Sequence, residues 1–133
     1  MQFEIKTTKR EDLVDISARI DEIVLATGVS EGVVVVSSPH TTAGVTVNEN
    51  ADPDVVRDIL TGLERVIPRQ GGWRHFEGNS DAHLKTAVVG SSVTVPVERG
   101  LMVLGTWQAV YLAEFDGPRT RHVAVTVLAG VAR

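Results

Sequence analysis

The last third of the chain consists of short runs in which apolar and polar residues alternate, and this pattern constrains the fold most strongly. The runs at residues 92–97, 107–115 and 121–129 are typical of strands with one buried face. A turn at residues 98–100 joins the first run to a shorter one at residues 101–104, as in a hairpin. Because hairpin-linked strands pair antiparallel, this region predicts a mainly antiparallel sheet.

The N-terminal region is predicted to form a strand followed by a long helix. Residues 2–7 alternate in the manner of a half-buried strand. Apolar side chains then recur at helical spacing, which predicts a first helix over residues 9–27. Thr8 and Glu11 have the spacing of a capping box, and Gly28 stands where a helix would end.

Two more helices are predicted in the middle of the chain. Residues 32–38 are rich in β-branched side chains and predict a buried strand, and a short strand is expected at residues 45–47. Asp52 is a suitable N-cap for a second helix over residues 53–67, and a short third helix is expected over residues 82–89. These elements predict an α+β fold, with a mainly antiparallel or mixed sheet packed against two longer helices and one short helix.

Length, charge and cysteine content exclude several classes of protein. The 133 residues suit a single domain, residues 1–133, with a core of its own. The absence of cysteine excludes disulfides and thiolate-bound metals. A net charge of −4 and few aromatic residues argue against nucleic acid as a partner. The sequence has no apolar run of membrane length and no leader pattern, so we expect a cytoplasmic protein without a membrane partner.

A polar loop follows the predicted buried strand and carries many side chains suited to chemistry. This loop, residues 39–54, contains His40, Thr41, Glu49 and Asn50. Polar groups gathered at the end of a buried strand often form a ligand site. The alternative is a well hydrogen-bonded surface connection.

Histidines in and beside two loops are candidate metal ligands. The second polar loop, residues 69–82, contains His75, and His83 lies just after it. A divalent ion such as zinc, magnesium or manganese bound by His40, His75 and His83 would draw help from nearby carboxylates. The spacing matches no strong short metal motif, and the alternative is that these histidines cap loops or bond to the backbone.

An anion site is a second possibility for the same region. Helix N-termini follow both loops, and their free N–H groups suit a phosphate. Lys85, Arg119 and Arg121 can supply further donors. Acidic residues at the helix starts, such as Asp81, would repel a bare anion, and a bridging divalent cation would resolve this conflict.

Trp107 and Gln108 interrupt a strand pattern that favours aliphatic residues. A tryptophan at this place can line a pocket, and packing in the core is the alternative. His122 lies within an alternating strand and is interpreted as a residue of the sheet face.

Four stretches of the sequence, taken together and in order, resemble the YjbQ family, small proteins named as secondary thiamine-phosphate synthase enzymes. The stretches are HTTAGVTVNENADPDV from His40, HFEGNSDAHLK from His75, GTWQ from Gly105 and EFDGPR from Glu114. The resemblance implies an α+β fold and a homotrimer with sites near subunit interfaces. It also implies a transferase that joins a pyrimidine methyl pyrophosphate to a thiazole phosphate and releases pyrophosphate.

The resemblance also assigns polar positions of the family to this sequence. In the resulting hypothesis the three histidines bind a metal or donate to the leaving group, while Glu49 and Asp81 orient them. Lys85 and Arg119 contact phosphate, and Trp107 stacks on the substrate ring. The positions implied are His40, Thr41, Glu49, Asn50, His75, Glu77, Asp81, His83, Lys85, Trp107, Gln108, Glu114 and Arg119.

Two other functions fit the same residues. One is a metal-dependent hydrolase with a histidine–carboxylate site, for which thiamine-phosphate formation is incidental. The other is a non-catalytic trimer that binds a small phosphorylated metabolite or a metal and acts through a partner.

Overall fold

The structure, a computed structural model, describes residues 1–131. Within this range the predicted α+β fold is confirmed: two antiparallel sheets pack with two longer helices and a shorter one. The elements are β1 (Gln2–Lys6), β2 (Asp12–Asp15), α1 (Ser17–Thr27), β3 (Gly32–Ser37), β4 (Ala43–Glu49), α2 (Pro53–Val66), α3 (Ser80–Val89), β5 (Ser92–Glu98), β6 (Leu101–Met102), β7 (Gln108–Glu114) and β8 (Thr120–Ala129).

The larger sheet has five strands in the order β1-β8-β3-β5-β6. The buried strand predicted over residues 32–38 is β3, and it lies at the centre of this sheet between β8 and β5. Val34 and Val36 point to the buried face of β3 and are fully buried. Their partners across β8 include Val125, which is also buried, so the centre of the sheet is apolar on its inner face.

The smaller sheet has three strands in the order β2-β7-β4 and forms the middle layer of the fold. One face of β7, with Val110 and Leu112, packs against the larger sheet and α1. The other face, with Ala109, Tyr111 and Ala113, packs against the apolar sides of α2 and α3. Because both faces of β7 are covered, its alternating sequence is buried nearly throughout.

The first helix is shorter than predicted, and the prediction of a helix over residues 9–27 is wrong at its N-terminal end. Residues Asp12–Asp15 form strand β2, in which Leu13 pairs with Ala113 of β7. Glu11 does not close a capping box, because its carboxylate binds the ammonium group of Lys85 instead. Pairing with a buried strand outweighs the helical spacing of these apolar residues.

The first polar loop contains a full strand where only residues 45–47 were expected to pair. Strand β4 runs from Ala43 to Glu49, so this stretch is mostly a rigid sheet element. A Cβ atom at Gly44 would lie 2.4 Å from the carbonyl oxygen of Gly90, so only glycine lets β4 pass the end of α3 this closely. The predicted N-cap of α2 is confirmed, since the Asp52 carboxylate accepts from the N–H of Asp54 at 2.9 Å.

None of the helices within residues 1–131 is both long and apolar enough to cross a membrane.

Candidate functional site

The loop after β3, the start of α3 and the β7–β8 turn meet around a polar cavity of about 410 Å³, here called the histidine cavity. These three segments come together because β8 pairs with β3 and α3 packs on β4. The cavity is lined by Pro39, His40, Thr41, Thr42, Glu77, Asn79, His83, Asp116, Arg119 and Arg121.

His40 is held by a hydrogen bond to the backbone of the neighbouring strand. The N–H of His122 donates to Nε2 of His40 at 2.8 Å, and the two rings stack with centroids 6.1 Å apart. Burial, the nearby Arg121 charge and His122 lower the pKa of His40, so its ring is neutral at pH 7. Because Nε2 accepts a hydrogen bond, the proton of the neutral ring belongs on Nδ1, which makes that nitrogen of a cavity-lining residue a donor.

A buried ion pair forms the floor of the histidine cavity. Arg121 is 4% exposed, and its Nε donates to Glu114 at 2.9 Å while its Nη2 bonds both to Glu114 and to the Thr42 hydroxyl. Burial alone would raise the pKa of Glu114, but hydrogen bonds from Arg121 and Thr7 lower it. Within residues 1–131 the Nη1 group of Arg121 has no protein hydrogen-bond partner and is not fully buried, so its donors are accessible from the cavity that Arg121 lines.

The rim of the cavity is formed by the β7–β8 turn. Arg119, whose side chain is 53% exposed, pairs with Asp116 at 2.9 Å. The same Asp116 carboxylate accepts from the Asn79 amide at 2.9 Å, which ties the turn to the start of α3. Arg119 is therefore placed at the cavity mouth with part of its guanidinium free for a ligand.

His75 and His83 lie beside each other on the outer side of the cavity. Their rings meet edge to face with centroids 5.7 Å apart, and Nδ1 of His75 contacts the Ser80 hydroxyl at 3.0 Å. His83 lines the histidine cavity, whereas His75 lines a neighbouring depression of about 280 Å³ that His83 also borders. The sequence prediction thus placed three histidines near one another, but only His40 and His83 share the histidine cavity.

The structure does not bring Lys85 to the cavity. Its ammonium group is fully buried and donates to Glu11 at 2.7 Å, Glu64 at 2.7 Å and Asp81 at 3.0 Å. Burial would lower the pKa of Lys85, but these three carboxylates raise it. All three donors of Lys85 are thereby used, and Asp81, also fully buried, is shared between Lys85 and Arg10.

The remaining predicted residues lie at the opposite end of the smaller sheet. Glu49 pairs with Gln108 at one end of the β4–β7 ladder, whereas Ala43 pairs with Glu114 at the end near the cavity. Six residues of strand separate the two ends, a distance of about 20 Å. At the far end Asn50 donates its N–H to the carbonyl of Trp107, whose side chain is 61% exposed.

Comparison with known proteins decides the family of this chain. The family model described as UPF0047 protein YjbQ-like matches residues 1–130. The chain belongs to this family.

Several members of the family are similar to the chain over nearly its whole length. A UPF0047 protein of Methanocaldococcus jannaschii is 48% identical over 127 residues, covering 96% of this chain and 92% of that protein. The UPF0047 protein YugU of Bacillus subtilis is 50% identical, covering 95% and 96%. The crystal structure of an uncharacterised conserved yjbq/upf0047 family protein from Clostridium acetobutylicum has a TM-score of 0.94 and 48% identity, covering 96% and 99%. The resemblance inferred from the four stretches is therefore confirmed for the family and the fold.

Within residues 1–131 the ring nitrogens of His40, His75 and His83 do not converge on a common point, and a metal bound by all three stays a prediction. Nε2 of His40 accepts a backbone hydrogen bond, and its other nitrogen carries the proton in the neutral ring, so neither offers a lone pair. Within residues 1–131, the group of three metal-type ligand atoms lying within 4.8 Å of one another consists of Glu11, Glu64 and Asp81. That group surrounds the ammonium of Lys85, which already supplies the positive charge.

Arg121 is the residue whose importance sequence reasoning underestimated. It was a candidate phosphate donor, but its pairing with Glu114 was not foreseen. Its position in the strand could have indicated that Arg121 is buried, because it lies on the same face as Val123 and Val125, which face the core. A charged residue on the buried face of a strand requires a partner in the interior.

The lowered carboxyl pKa values predict that the protein loses stability in acid. Hydrogen bonds from Lys85 lower the pKa of Glu64, and those from Arg10 and Lys85 lower that of Asp81 in spite of burial. Such groups stabilise the fold above their ordinary values of 4.5 and 3.8 and lose this contribution as pH falls through the lower folded values. We expect the melting temperature, followed by circular dichroism, to fall steadily below about pH 4.5. The Glu64→Gln variant should show a shallower acid slope, and a flat profile for the parent would contradict the role given to these pairs.

Proposed function

We propose that the histidine cavity binds the phosphate or pyrophosphate group of a small metabolite. The observation that carries this proposal is the buried Arg121 guanidinium, whose Nη1 is unpaired within residues 1–131 and lines the cavity. These donors are accessible and unpaired by the protein, and a phosphate oxygen is a suitable acceptor for a guanidinium held in this way. His40, through Nδ1–H, and Arg119 add donors of the same kind.

The charges around the cavity indicate which form of the anion binds. Glu114 does not line the cavity but neutralises Arg121. The lining has two more carboxylates, Glu77 and Asp116, and one more guanidinium group, that of Arg119, so carboxylates in and directly behind the lining outnumber guanidinium groups by one. A bare pyrophosphate would meet repulsion from the exposed carboxylates. Pyrophosphate complexed with Mg²⁺ avoids this, because carboxylate oxygens are suitable ligands for the cation that the substrate brings.

For the reaction itself we propose the transfer that the family resemblance implies. The ring nitrogen of a thiazole phosphate attacks the methylene carbon of a pyrimidine methyl pyrophosphate. A C–N bond forms, the C–O bond to pyrophosphate breaks, and the leaving pyrophosphate takes the electron pair. Donors at Arg121 and His40 would stabilise the negative charge that develops on the leaving group, which is the main task in such a step.

We also propose that the chain forms a homotrimer with its sites near subunit interfaces, as the resemblance implies. The separation of the predicted residues supports this, because Glu49, Asn50, Trp107 and Gln108 lie about 20 Å along the sheet from the cavity of the same chain. Side chains at that end can reach a cavity only if it belongs to another subunit.

Calorimetric titration of inorganic pyrophosphate with Mg²⁺ tests the proposed binding. We expect saturable binding to the parent and a roughly 10- to 150-fold weaker affinity for Arg119→Ala, because a hydrogen bond to a charged group contributes about 1.5–3 kcal/mol. Arg57→Ala is the matched control, since Arg57 is 77% exposed on α2 and lines no cavity described above. Removing Mg²⁺ with EDTA should weaken binding to the parent.

The same proteins are then assayed for pyrophosphate release from the pyrimidine and thiazole substrates. Binding with turnover supports the transferase, and binding without turnover of this pair rejects it in favour of a binding protein or a different reaction. Failure of pyrophosphate to bind, or an equal loss in Arg119→Ala and Arg57→Ala, would overturn the assignment of the cavity.

A further inference from the structure

The loop between α2 and α3 lines a second cavity, to which no function has been assigned above. It measures about 390 Å³ and is here called the loop pocket. Its walls combine aromatic rings, glycine backbone and donors, a mixture typical of sites for small planar ligands. The lining includes Arg69, Gly71, Trp73, His75, Phe76 and Ser80.

Trp73 is a fixed wall of the loop pocket. Its indole N–H donates to the carbonyl of Pro68 at 3.1 Å, which sets the orientation of the ring. The ring lies directly against Gly71, where an added Cβ atom would be 2.3 Å from Cζ2 of Trp73. Any larger residue at position 71 would push the ring away, so the glycine keeps one face of the pocket flat.

Phe76, on the same loop, is an aromatic residue that does not pack in the core. Its side chain is 96% exposed, although burying a phenylalanine stabilises a protein by about 1.5–3 kcal/mol. It contributes almost nothing to the core, yet it lines the pocket. A fully exposed ring beside a cavity is a feature of recognition surfaces rather than of folding.

Both ends of the loop are anchored, so the pocket is held in place. At its start the Glu64 carboxylate accepts from the N–H of Arg69 at 2.8 Å while its other oxygen binds Lys85. At its end the Ser80 hydroxyl donates to the carbonyl of His75 at 3.2 Å. The buried Lys85 cluster thereby fixes the position of a loop that lies at the surface.

The loop pocket adjoins the proposed phosphate site. His75 and Ser80 line the loop pocket and also the small depression that His83 borders. His83 in turn lines the histidine cavity. The loop pocket and the histidine cavity are therefore neighbouring sites, linked through residues that line the depression between them.

We propose that the loop pocket binds the planar heteroaromatic ring of the phosphorylated ligand, with the ring stacked on Phe76 and facing Trp73. This inference rests on the proposed phosphate site for the other half of the ligand. It assigns ring recognition to the α2–α3 loop of the same chain, whereas the sequence had suggested Trp107, which lies at the far end of the smaller sheet.

The test compares two probes, inorganic pyrophosphate and pyrimidine methyl pyrophosphate, both with Mg²⁺, by calorimetry. Base–aromatic stacking contributes about 1–3 kcal/mol, so Phe76→Ala should bind the pyrimidine compound about 5- to 150-fold more weakly. Its affinity for pyrophosphate should not change. Phe76→Tyr should restore binding of the pyrimidine compound. Leu25→Ala, at an exposed apolar position on α1 that lines none of the cavities described above, is the control and should bind both probes as the parent does.

The outcomes separate this inference from the proposed phosphate site. An equal loss for both probes in Phe76→Ala would overturn ring recognition by this residue, as would an unchanged affinity of Phe76→Ala for the pyrimidine compound. If pyrophosphate fails to bind the parent, unphosphorylated pyrimidine methanol becomes the probe. Binding that depends on Phe76 would then support the loop pocket although the phosphate site had failed, and no binding would reject both.

Discussion

Replacing Lys85 with methionine is expected to lower the free energy of unfolding at pH 7 by about 3–5 kcal/mol, the usual result of removing one partner from a buried ionic group. The substitution leaves Glu11, Glu64 and Asp81 with ligand oxygens within 4.8 Å of one another and no ammonium between them. Urea unfolding at pH 7 and pH 5 measures the effect. The deficit should shrink at pH 5, because repulsion raises the pKa of these carboxylates in the variant and protonation relieves it.

The Lys85→Met variant should also gain a property that the parent lacks. Three converging carboxylates without a lysine resemble a site for a hard divalent cation, so millimolar Ca²⁺ should raise the melting temperature of the variant and not that of the parent. Lys9→Met, at an exposed position, is the control and should change stability by less than about 0.5 kcal/mol. A similar small change in stability for both variants would show that the ion pairs of Lys85 contribute little to the stability of the fold.

Replacing Arg121 with alanine is expected to cost about 3–5 kcal/mol of stability and to abolish pyrophosphate binding. Glu114 would remain fully buried without its main partner, since Thr7 and the N–H of Asp116 supply its other hydrogen bonds. Thermal unfolding and calorimetric titration of the same preparation measure the two effects together.

Two further variants separate folding from binding at this position. In Arg121→Met combined with Glu114→Gln no buried charge is left unpaired, so most of the stability should return while pyrophosphate binding stays absent. Arg119→Ala removes an exposed guanidinium and should change stability by less than about 1 kcal/mol. Full recovery of binding in the double variant would show that Arg121 is only a structural residue.

The sequence predicted most of the fold because its strands carry strong periodic patterns. The alternating runs became β5, β7 and β8, and the β-branched run became β3. The error at residues 9–15 has a physical cause, since Leu13 belongs equally well to a helical stripe and to a strand. Pairing with the buried strand β7 determined that these residues form a strand. Such long-range pairing is not visible in a local stretch of sequence.

The candidate site was predicted in its residue types more successfully than in its arrangement. His40, Thr41, His83 and Arg119 do meet at one cavity. Lys85 was expected at a phosphate because it follows a polar loop on a helix, but its helix turns it inward onto three carboxylates. Charge and spacing alone do not reveal which face of a short helix is buried. They also do not show that Glu49 lies at the far end of a seven-residue strand that begins just after His40.

The pairing of β1 and β3 with β8 has a consequence for how the molecule is assembled as it is made on the ribosome. Gln2 pairs with Ala124, and Val36 pairs with Val125, so the larger sheet joins strands that lie far apart along the chain. Folds dominated by such non-local contacts form slowly, on a scale of about milliseconds to seconds, because distant segments must meet first. Since β8 also carries Arg121, a nascent chain has no complete histidine cavity until β8 is in place. The proposed capture of a phosphate group would thus be a property of chains in which β8 has paired, and never of partly folded ones.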